Sequence, residues 1–237
     1  MIQLFGKLIS KDPNFYRTVA GIAIPIGLQG LITTGINMMD TIMIGTLGET
    51  ELSAVSLANQ FINIYQILCM GIGMGASVLV SRYYGMKDKV SMQKTVAIMT
   101  RFCLVIASVF ALLTCLFPGA IMRIYTVEDV IIQNGERYLS WSVVTYFLLG
   151  LSLTGTIVLR NVGQVKIPLF TSIGAFFVNI LANYMFIFGK LGAPAMGVAG
   201  AAIGTLIARI FEFSVIDGFL WFREKSIEFR LKNFFMP

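Results

Sequence analysis

The chain contains six apolar segments that are each long enough to cross a lipid bilayer. A spanning helix needs roughly 20 mostly apolar residues. The segments that reach this length are Thr18 to Gly45, Leu52 to Val80, Thr95 to Phe117, Tyr138 to Leu159, Ile167 to Phe188 and Gly197 to Phe222. Charged residues make up only 13% of the 237-residue chain, against about 25% in soluble domains. We therefore predict an all-α fold, a polytopic membrane bundle of six transmembrane helices.

The basic residues predict the orientation of this bundle. Of the 18 lysines and arginines, thirteen fall in the two terminal segments and in the second and fourth connections, which lie on one side of a six-span bundle. The other side holds only Arg123, Arg137 and Lys190. Because cytoplasmic segments carry the excess of positive charge, both termini are expected in the cytoplasm. The net charge of +6 then indicates contact with the bilayer surface and not with nucleic acid.

The chain divides into three regions on this basis. Residues 1–17 form an amphipathic cytoplasmic segment that could lie along the membrane, residues 18–222 form the six-helix lobe, and residues 223–237 form a basic cytoplasmic tail. The connection from Pro118 to Arg137 could form a short interfacial helix outside.

The absence of histidine removes much catalytic chemistry. Without it the chain can form no Ser-His or Cys-His pair and no histidine metal cluster. The three cysteines, Cys69, Cys103 and Cys115, lie inside apolar stretches and suggest no disulfide framework. We therefore expect no enzymatic activity, no cofactor and no resident metal.

Asp40 is the one carboxylate well inside the first span, and ionisable groups at such depth are functional hypotheses by default. Gln29, Thr33, Asn37 and Asp40 recur at helical spacing and form one polar stripe. In lipid such a stripe must face protein or a water-filled cavity. A buried carboxylate can exchange a proton as its surroundings alternate between wet and dry, which is the chemistry that a proton antiporter needs.

Polar residues on other spans suggest the remaining walls of a cavity. They are Asn59, Gln60 and Asn63 on the second span and the pair Asn179 and Asn183 on the fifth. The alternative is that these side chains form hydrogen bonds that join helices. A weak internal sequence repeat also places Asp40 and Asn183 at equivalent positions, each fifteen residues after a proline.

The sixth span carries three charged residues. Arg209 and Glu212 are spaced i, i+3, so we expect them to form an ion pair with a structural role. Asp217 lies nearer the inner end and is expected to reach the interface.

The order of several short motifs resembles the multidrug and toxic compound extrusion (MATE) family. Pro25 and Asp40 are followed by Ile44-Gly45-Thr46-Leu47-Gly48, and the later motifs are Ser81 to Asp88, Leu159 to Gly163 before Pro168, and Asn179 through Gly189 followed by Gly200-Ala201-Ala202. The resemblance covers nearly the whole chain. It implies the amino-terminal six-helix lobe of a twelve-helix antiporter that exports cationic or amphipathic compounds in exchange for protons or sodium.

The resemblance also implies a coupling site and a location. Asp40 matches a carboxylate on helix one and Asn179 matches an asparagine on helix five, in what is a bacterial or archaeal inner membrane protein. Asn183 stands where some members have a second carboxylate, and an amide cannot titrate. A single protonatable Asp40, which we favour, and a sodium site at Asp40 both remain open.

Three alternatives concern the unit that transports. The chain would need a second six-helix lobe. Either the chain is a fragment of a longer protein that contains this lobe, which we favour, or a second copy of the chain supplies it. A non-transporting membrane module is another reading, since alternating access requires one lobe to move against another. A lipid-linked oligosaccharide flippase of the related superfamily would share the architecture, but it would be favoured by an arginine-rich cavity that this sequence does not show.

Overall fold

The computed structural model describes residues 13–223. Within that range the chain forms helices and no strands. Their bounds are α1 Pro13–Gly45, α2 Glu49–Gly85, α3 Lys89–Leu116, α4 Pro118–Arg123, α5 Asp129–Asn161, α6 Lys166–Phe188 and α7 Val198–Phe222. All of these except the six-residue α4 are long and apolar enough to cross a membrane. The predicted six-helix membrane fold is confirmed.

Several helices extend beyond the apolar segments that predicted them. Hydropathy marks only the part of a helix that fits the hydrocarbon. Helix α3 begins earlier, at Lys89, because Asp88 caps it: the Asp88 carboxylate accepts a hydrogen bond from the Ser91 backbone N–H at 3.1 Å. Helix α5 begins at Asp129, and α4 lies in the connection expected to hold a short helix.

The terminal regions are only partly described. Residues 13–17 continue α1 and do not form a separate segment. The rest of the predicted amphipathic segment and nearly all of the predicted basic tail lie outside the described residues.

One face of α3 illustrates how the bundle meets lipid. Large apolar side chains recur along it at helical spacing and are all more than half exposed, at Ile98, Phe102, Val105, Leu112 and Leu116. Exposure of such a stripe to water would be costly. In a bilayer the exposed side chains contact lipid tails that are equally apolar, so the exposure costs little. The protein is a multi-pass membrane protein.

Helix α5 lies at the centre of the bundle and packs against α2, α3, α4 and α7. Buried hydroxyl groups tie three of these helices together. The Tyr65 hydroxyl of α2 donates to the Tyr146 carbonyl of α5 at 2.7 Å, and the Tyr146 hydroxyl lies 3.1 Å from the Thr114 hydroxyl of α3. Because no water reaches these groups, each bond satisfies atoms that would otherwise be costly to bury.

Helix α7 packs closely on α6, and a glycine permits the approach. A Cβ atom at Gly200 would collide with the Phe186 carbonyl group of α6. Helix α1 rests mainly on α6 and has fewer contacts with α2 and α7. The space left between α1 and α2, closed behind by α5, α6 and α7, is the candidate site.

Candidate cation and substrate site

A cavity of about 340 Å³ opens between α1, α2, α5, α6 and α7. Of the residues predicted from the sequence, it is lined by Thr33, Asn37, Asp40, Asn59, Asn63, Asn179, Arg209 and Glu212. The structure thus brings together polar side chains from four spans that are far apart in the sequence. Three residues of the α1 stripe, two asparagines of α2 and Asn179 of α6 face the same space.

Asp40 is joined to α6 by a short hydrogen bond. The Asn183 side-chain amide donates from Nδ2 to Asp40 Oδ1 at 2.5 Å, and the same nitrogen lies 3.3 Å from Asn179 Oδ1. Asn179 and Asn183 are almost completely buried, whereas Asp40 is partly exposed. A charged acceptor strengthens a hydrogen bond of this type. The amide nitrogen therefore bridges the carboxylate to the neighbouring amide oxygen.

The position of Asn183 depends on a glycine of α7. A Cβ atom at residue 204 would overlap Asn183 Oδ1 and would lie 3.1 Å from the Asn183 backbone nitrogen. Asn183 Oδ1 is buried and has no hydrogen-bond partner within the described part of the chain. The amide thus presents its nitrogen to Asp40 and its oxygen to the Gly204 backbone.

Tyr138, which sequence reasoning did not assign to the site, lines the cavity and links two of its walls. Its hydroxyl donates to Asn59 Oδ1 at 3.1 Å, joining α5 to α2. The sequence shows only a tyrosine at the start of an apolar segment. Its direction depends on the rotation of α5, which no local pattern specifies.

The predicted pairing of Arg209 with Glu212 is present. Arg209 Nη1 and Glu212 Oε2 are 2.6 Å apart, and the two side chains are 27% and 15% exposed. Both also line the cavity. Among the described lining residues, the ionisable acids and bases other than tyrosine are these two and Asp40, so the cavity carries a net negative charge when all three are ionised.

Two predicted cavity residues do not line the cavity. Gln29 is buried and accepts a hydrogen bond at 2.7 Å from Nη2 of Arg160 at the end of α5. Gln60 is exposed on a part of α2 outside the cavity. Gln29 shares a face with Asp40 but lies eleven residues earlier on α1, about 16 Å away along the helix axis, and so is beyond the cavity. Gln60 directly follows Asn59 and therefore points about 100° away from it around α2.

Asp217 also departs from expectation. Its side chain does not project outward but is only 5% exposed, between α3, α5 and α7. Its surroundings differ from those of Asp40, because the side chains around it are mostly apolar.

The sequence of the chain matches a known protein family. Residues 25–185, more than half of the chain, match the family model described as MatE. The chain belongs to the MatE family. The resemblance noted from the sequence is therefore confirmed.

Relatives within the family share low but extended similarity with the chain. It is 27% identical to a probable multidrug resistance protein NorM of Thermotoga maritima, with 99% of this chain and 50% of the relative covered. It is 25% identical to the probable multidrug resistance protein YoeA of Bacillus subtilis, with 92% of this chain and 47% of the relative covered. The chain spans about half the length of the curated relatives that it matches.

Solved structures agree on the fold. The chain matches the outward-facing conformation of a multidrug resistance MATE family transporter of the MOP superfamily with a TM-score of 0.82 at 22% identity, covering 93% of this chain and 48% of the other. A MOP superfamily transporter from Pyrococcus furiosus gives the same values. At these identities the likeness shows the fold alone: six helices that correspond to about half of a larger bundle.

Proposed function

We propose that this chain forms the amino-terminal lobe of a secondary antiporter that exports cationic or amphipathic compounds from the cytoplasm in exchange for protons. Asp40 is the coupling residue in this proposal. The membrane is the inner membrane of a bacterium or archaeon, with both termini in the cytoplasm, and the chain acts as a transporter and not as an enzyme. The printed names of the relatives, which include probable multidrug resistance proteins, support the substrate class.

The observation that carries the proposal is the charge balance of the cavity around Asp40. Arg209 is paired with Glu212 at 2.6 Å, so its charge is already balanced. Asp40 accepts from a neutral amide, which orients the carboxylate but leaves its charge uncompensated. A proton or an organic cation can each supply that compensation. Two ligands that neutralise one carboxylate compete for it, and this competition is the basis of exchange.

The orientation of Asn183 favours the proton over sodium. A hard cation such as sodium is held by several oxygen atoms. Here Asn183 directs its nitrogen to Asp40, while its oxygen lies against Gly204. To serve as a sodium ligand, this amide would have to turn over and break both hydrogen bonds of its nitrogen. A proton on Asp40 needs no such rearrangement, because the other carboxylate oxygen can carry it.

The transporting unit requires a second six-helix lobe in this proposal. Transporters of this general kind alternate by moving one repeat against another around a fixed site. The cavity has α1 and α2 at its open side, where a second lobe would close it. That lobe is supplied either by a further part of the protein or by a second copy of this chain.

Transport by the reconstituted chain tests the proposal. Purified protein in liposomes should move the fluorescent cation ethidium when a proton gradient is imposed, and a sodium gradient alone should have no effect. Asp40→Asn keeps the size of the side chain but removes its charge, so transport should fall to the background of empty liposomes. Glu128→Gln, at an exposed carboxylate before α5, is the matched control and should transport normally.

Three results of this experiment have different meanings. Full transport by Asp40→Asn would overturn the role of Asp40. Transport driven by sodium alone would reassign the coupling ion. No transport by correctly inserted wild-type protein would show that a second copy of this chain cannot serve as the second lobe.

A further inference from the structure

A second cavity lies on another side of α7 and shares no lining residue with the cavity around Asp40. It is partly open and has a volume of about 210 Å³ between α3, α5 and α7. Its walls are mostly apolar, and their larger side chains are Val96, Leu104, Leu151, Val158, Leu220 and Trp221. With such walls it would be an ordinary apolar cavity, except that one lining residue, Asp217, is ionisable.

Asp217 is a nearly completely buried carboxyl group in this apolar setting. The side chain is 5% exposed, and Oδ2 has no hydrogen-bond partner among the described residues. Its other oxygen lies over Gly155 of α5, at 3.2 Å from where a Cβ atom would stand. An isolated buried carboxylate is very costly unless a positive partner or a proton neutralises it. The site is therefore incomplete as it stands.

No charged group of the surrounding helices supplies that partner within the cavity. Among its described lining residues Asp217 is the one ionisable side chain. Arg101 of α3 and Arg160 of α5 do not line it, and Arg160 donates to Gln29. On α7 itself, the nearest charged residue is Glu212, which is paired with Arg209 at the other cavity. The described part of the lobe therefore leaves the charge of Asp217 to be balanced by a proton or by a positively charged ligand.

The other polar atoms of the cavity define what such a partner must offer. The Thr100 hydroxyl donates to the Val96 carbonyl and the Thr154 hydroxyl to the Leu151 carbonyl, each at 2.8 Å. Because both hydroxyl protons are used, these side chains can only accept further hydrogen bonds. The few polar atoms along the cavity are thus acceptors and one carboxyl group, and a positively charged hydrogen-bond donor would complement them.

The apolar walls and the volume narrow the class of ligand further. A bare metal ion of the calcium or magnesium type prefers six or more oxygen ligands, whereas this cavity is mostly hydrocarbon. An engineered apolar cavity of about 150 Å³ binds benzene, so 210 Å³ accommodates an aromatic ring with a short aminoalkyl group. Leu104 and Trp221 are partly exposed, so an amine dissolved in the bilayer can enter between α3 and α7.

We infer that this cavity is a second binding site of the lobe, for a small aryl- or alkylammonium ion. The ammonium group pairs with Asp217 and donates hydrogen bonds to the threonine oxygens, while the apolar body lies against α3 and α5. The site is separate from the Asp40 cavity and does not depend on the function proposed there.

Equilibrium binding of two matched probes tests this inference. Benzylammonium and benzyl alcohol have nearly the same size, but only the first is charged, so calorimetry on the purified chain in amine-free buffer separates charge from shape. We expect benzylammonium to bind more tightly than benzyl alcohol. Asp217→Asn should lower the affinity for benzylammonium about tenfold or more, since a hydrogen bond to a charged group is lost. Binding of benzyl alcohol should change little, which also shows that the variant is folded.

A second variant locates the site. Leu104→Phe adds volume at a half-buried wall position and should weaken the binding of both probes by filling the cavity. The inference is overturned if the two probes bind equally and Asp217→Asn affects neither, because the cavity would then be a simple apolar void. Failure of the wild-type protein to bind benzylammonium overturns it as well. So does binding that is retained in Asp217→Asn and lost in Asp40→Asn, which would assign the amine to the other cavity.

Discussion

The carboxyl groups of Asp40 and Asp217 lie in the same six-helix lobe but in opposite surroundings. Asp40 is partly exposed, accepts a hydrogen bond from Asn183 and faces a cavity lined by amides and hydroxyls. Asp217 is nearly buried, and its Oδ2 has no partner in the described structure. Asp40 therefore faces polar groups, whereas the described structure leaves the charge of Asp217 to be balanced by a ligand or a proton. The two carboxyl groups differ in their neighbours.

A glycine beneath each site offers the strongest way to test this contrast. Gly204→Ala places a methyl group onto the Asn183 amide, and Gly155→Ala places one 2.7 Å from the Ile216 side chain and beside Asp217. Overpacking of this kind costs about 1–3 kcal/mol, so both variants should unfold at lower denaturant concentration in detergent. Gly204→Ala should also lose proton-driven ethidium transport, because Asn183 can no longer hold Asp40.

The control for this pair is a third glycine, Gly218, on the same helix as Gly204. A Cβ atom at Gly218 meets no atom within 4 Å, so Gly218→Ala should be neutral or stabilise the helix by up to about 1 kcal/mol. Normal transport by Gly204→Ala, at equal protein insertion, would mean that the position of Asn183 does not matter to Asp40.

An effect on stability alone, without loss of transport, should separate the two ends of the polar stripe on α1. Gln29→Leu removes the acceptor of the Arg160 guanidinium, whose Nε is already buried without a partner among the described residues. Loss of one hydrogen bond to a charged group costs about 1.5–3 kcal/mol, so the free energy of unfolding should fall. Affinity for ethidium should stay unchanged, because Gln29 does not line the cavity.

Gln60→Leu is the matched comparison for that variant. Gln60 is exposed, and surface substitutions usually change stability by less than about 0.5 kcal/mol. If Gln29→Leu weakened ethidium binding without changing stability, the assignment of Gln29 to the hydrogen bond with Arg160 and not to the cavity would fail.

The sequence predicted the helices and much of the polar cavity because both leave periodic signals. Apolar runs of spanning length predicted the six membrane helices, and helical spacing placed Thr33, Asn37 and Asp40 on a common face. The pairing of Arg209 with Glu212 followed from the same spacing. These features depend on one helix at a time, so local pattern is sufficient.

The remaining features depend on how helices are rotated against one another. Gln29 belongs to the stripe by spacing but meets Arg160, which the sequence placed in a connection. Tyr138 enters the site only because α5 turns that side toward α2. The burial of Asp217 likewise results from α3 and α5 covering the inner part of α7. Packing between helices fixes these rotations, and no single segment encodes them.

The central claim is that an organic cation and a proton compete for Asp40. The most direct test is the proton release that accompanies binding of tetraphenylphosphonium to the purified chain in weakly buffered solution, followed with a pH indicator. The account predicts that protons are released as the cation binds, up to one per bound ion, and that Asp40→Asn releases none. Binding of tetraphenylphosphonium with no proton release by the wild-type protein, or with equal release by Asp40→Asn, would contradict it.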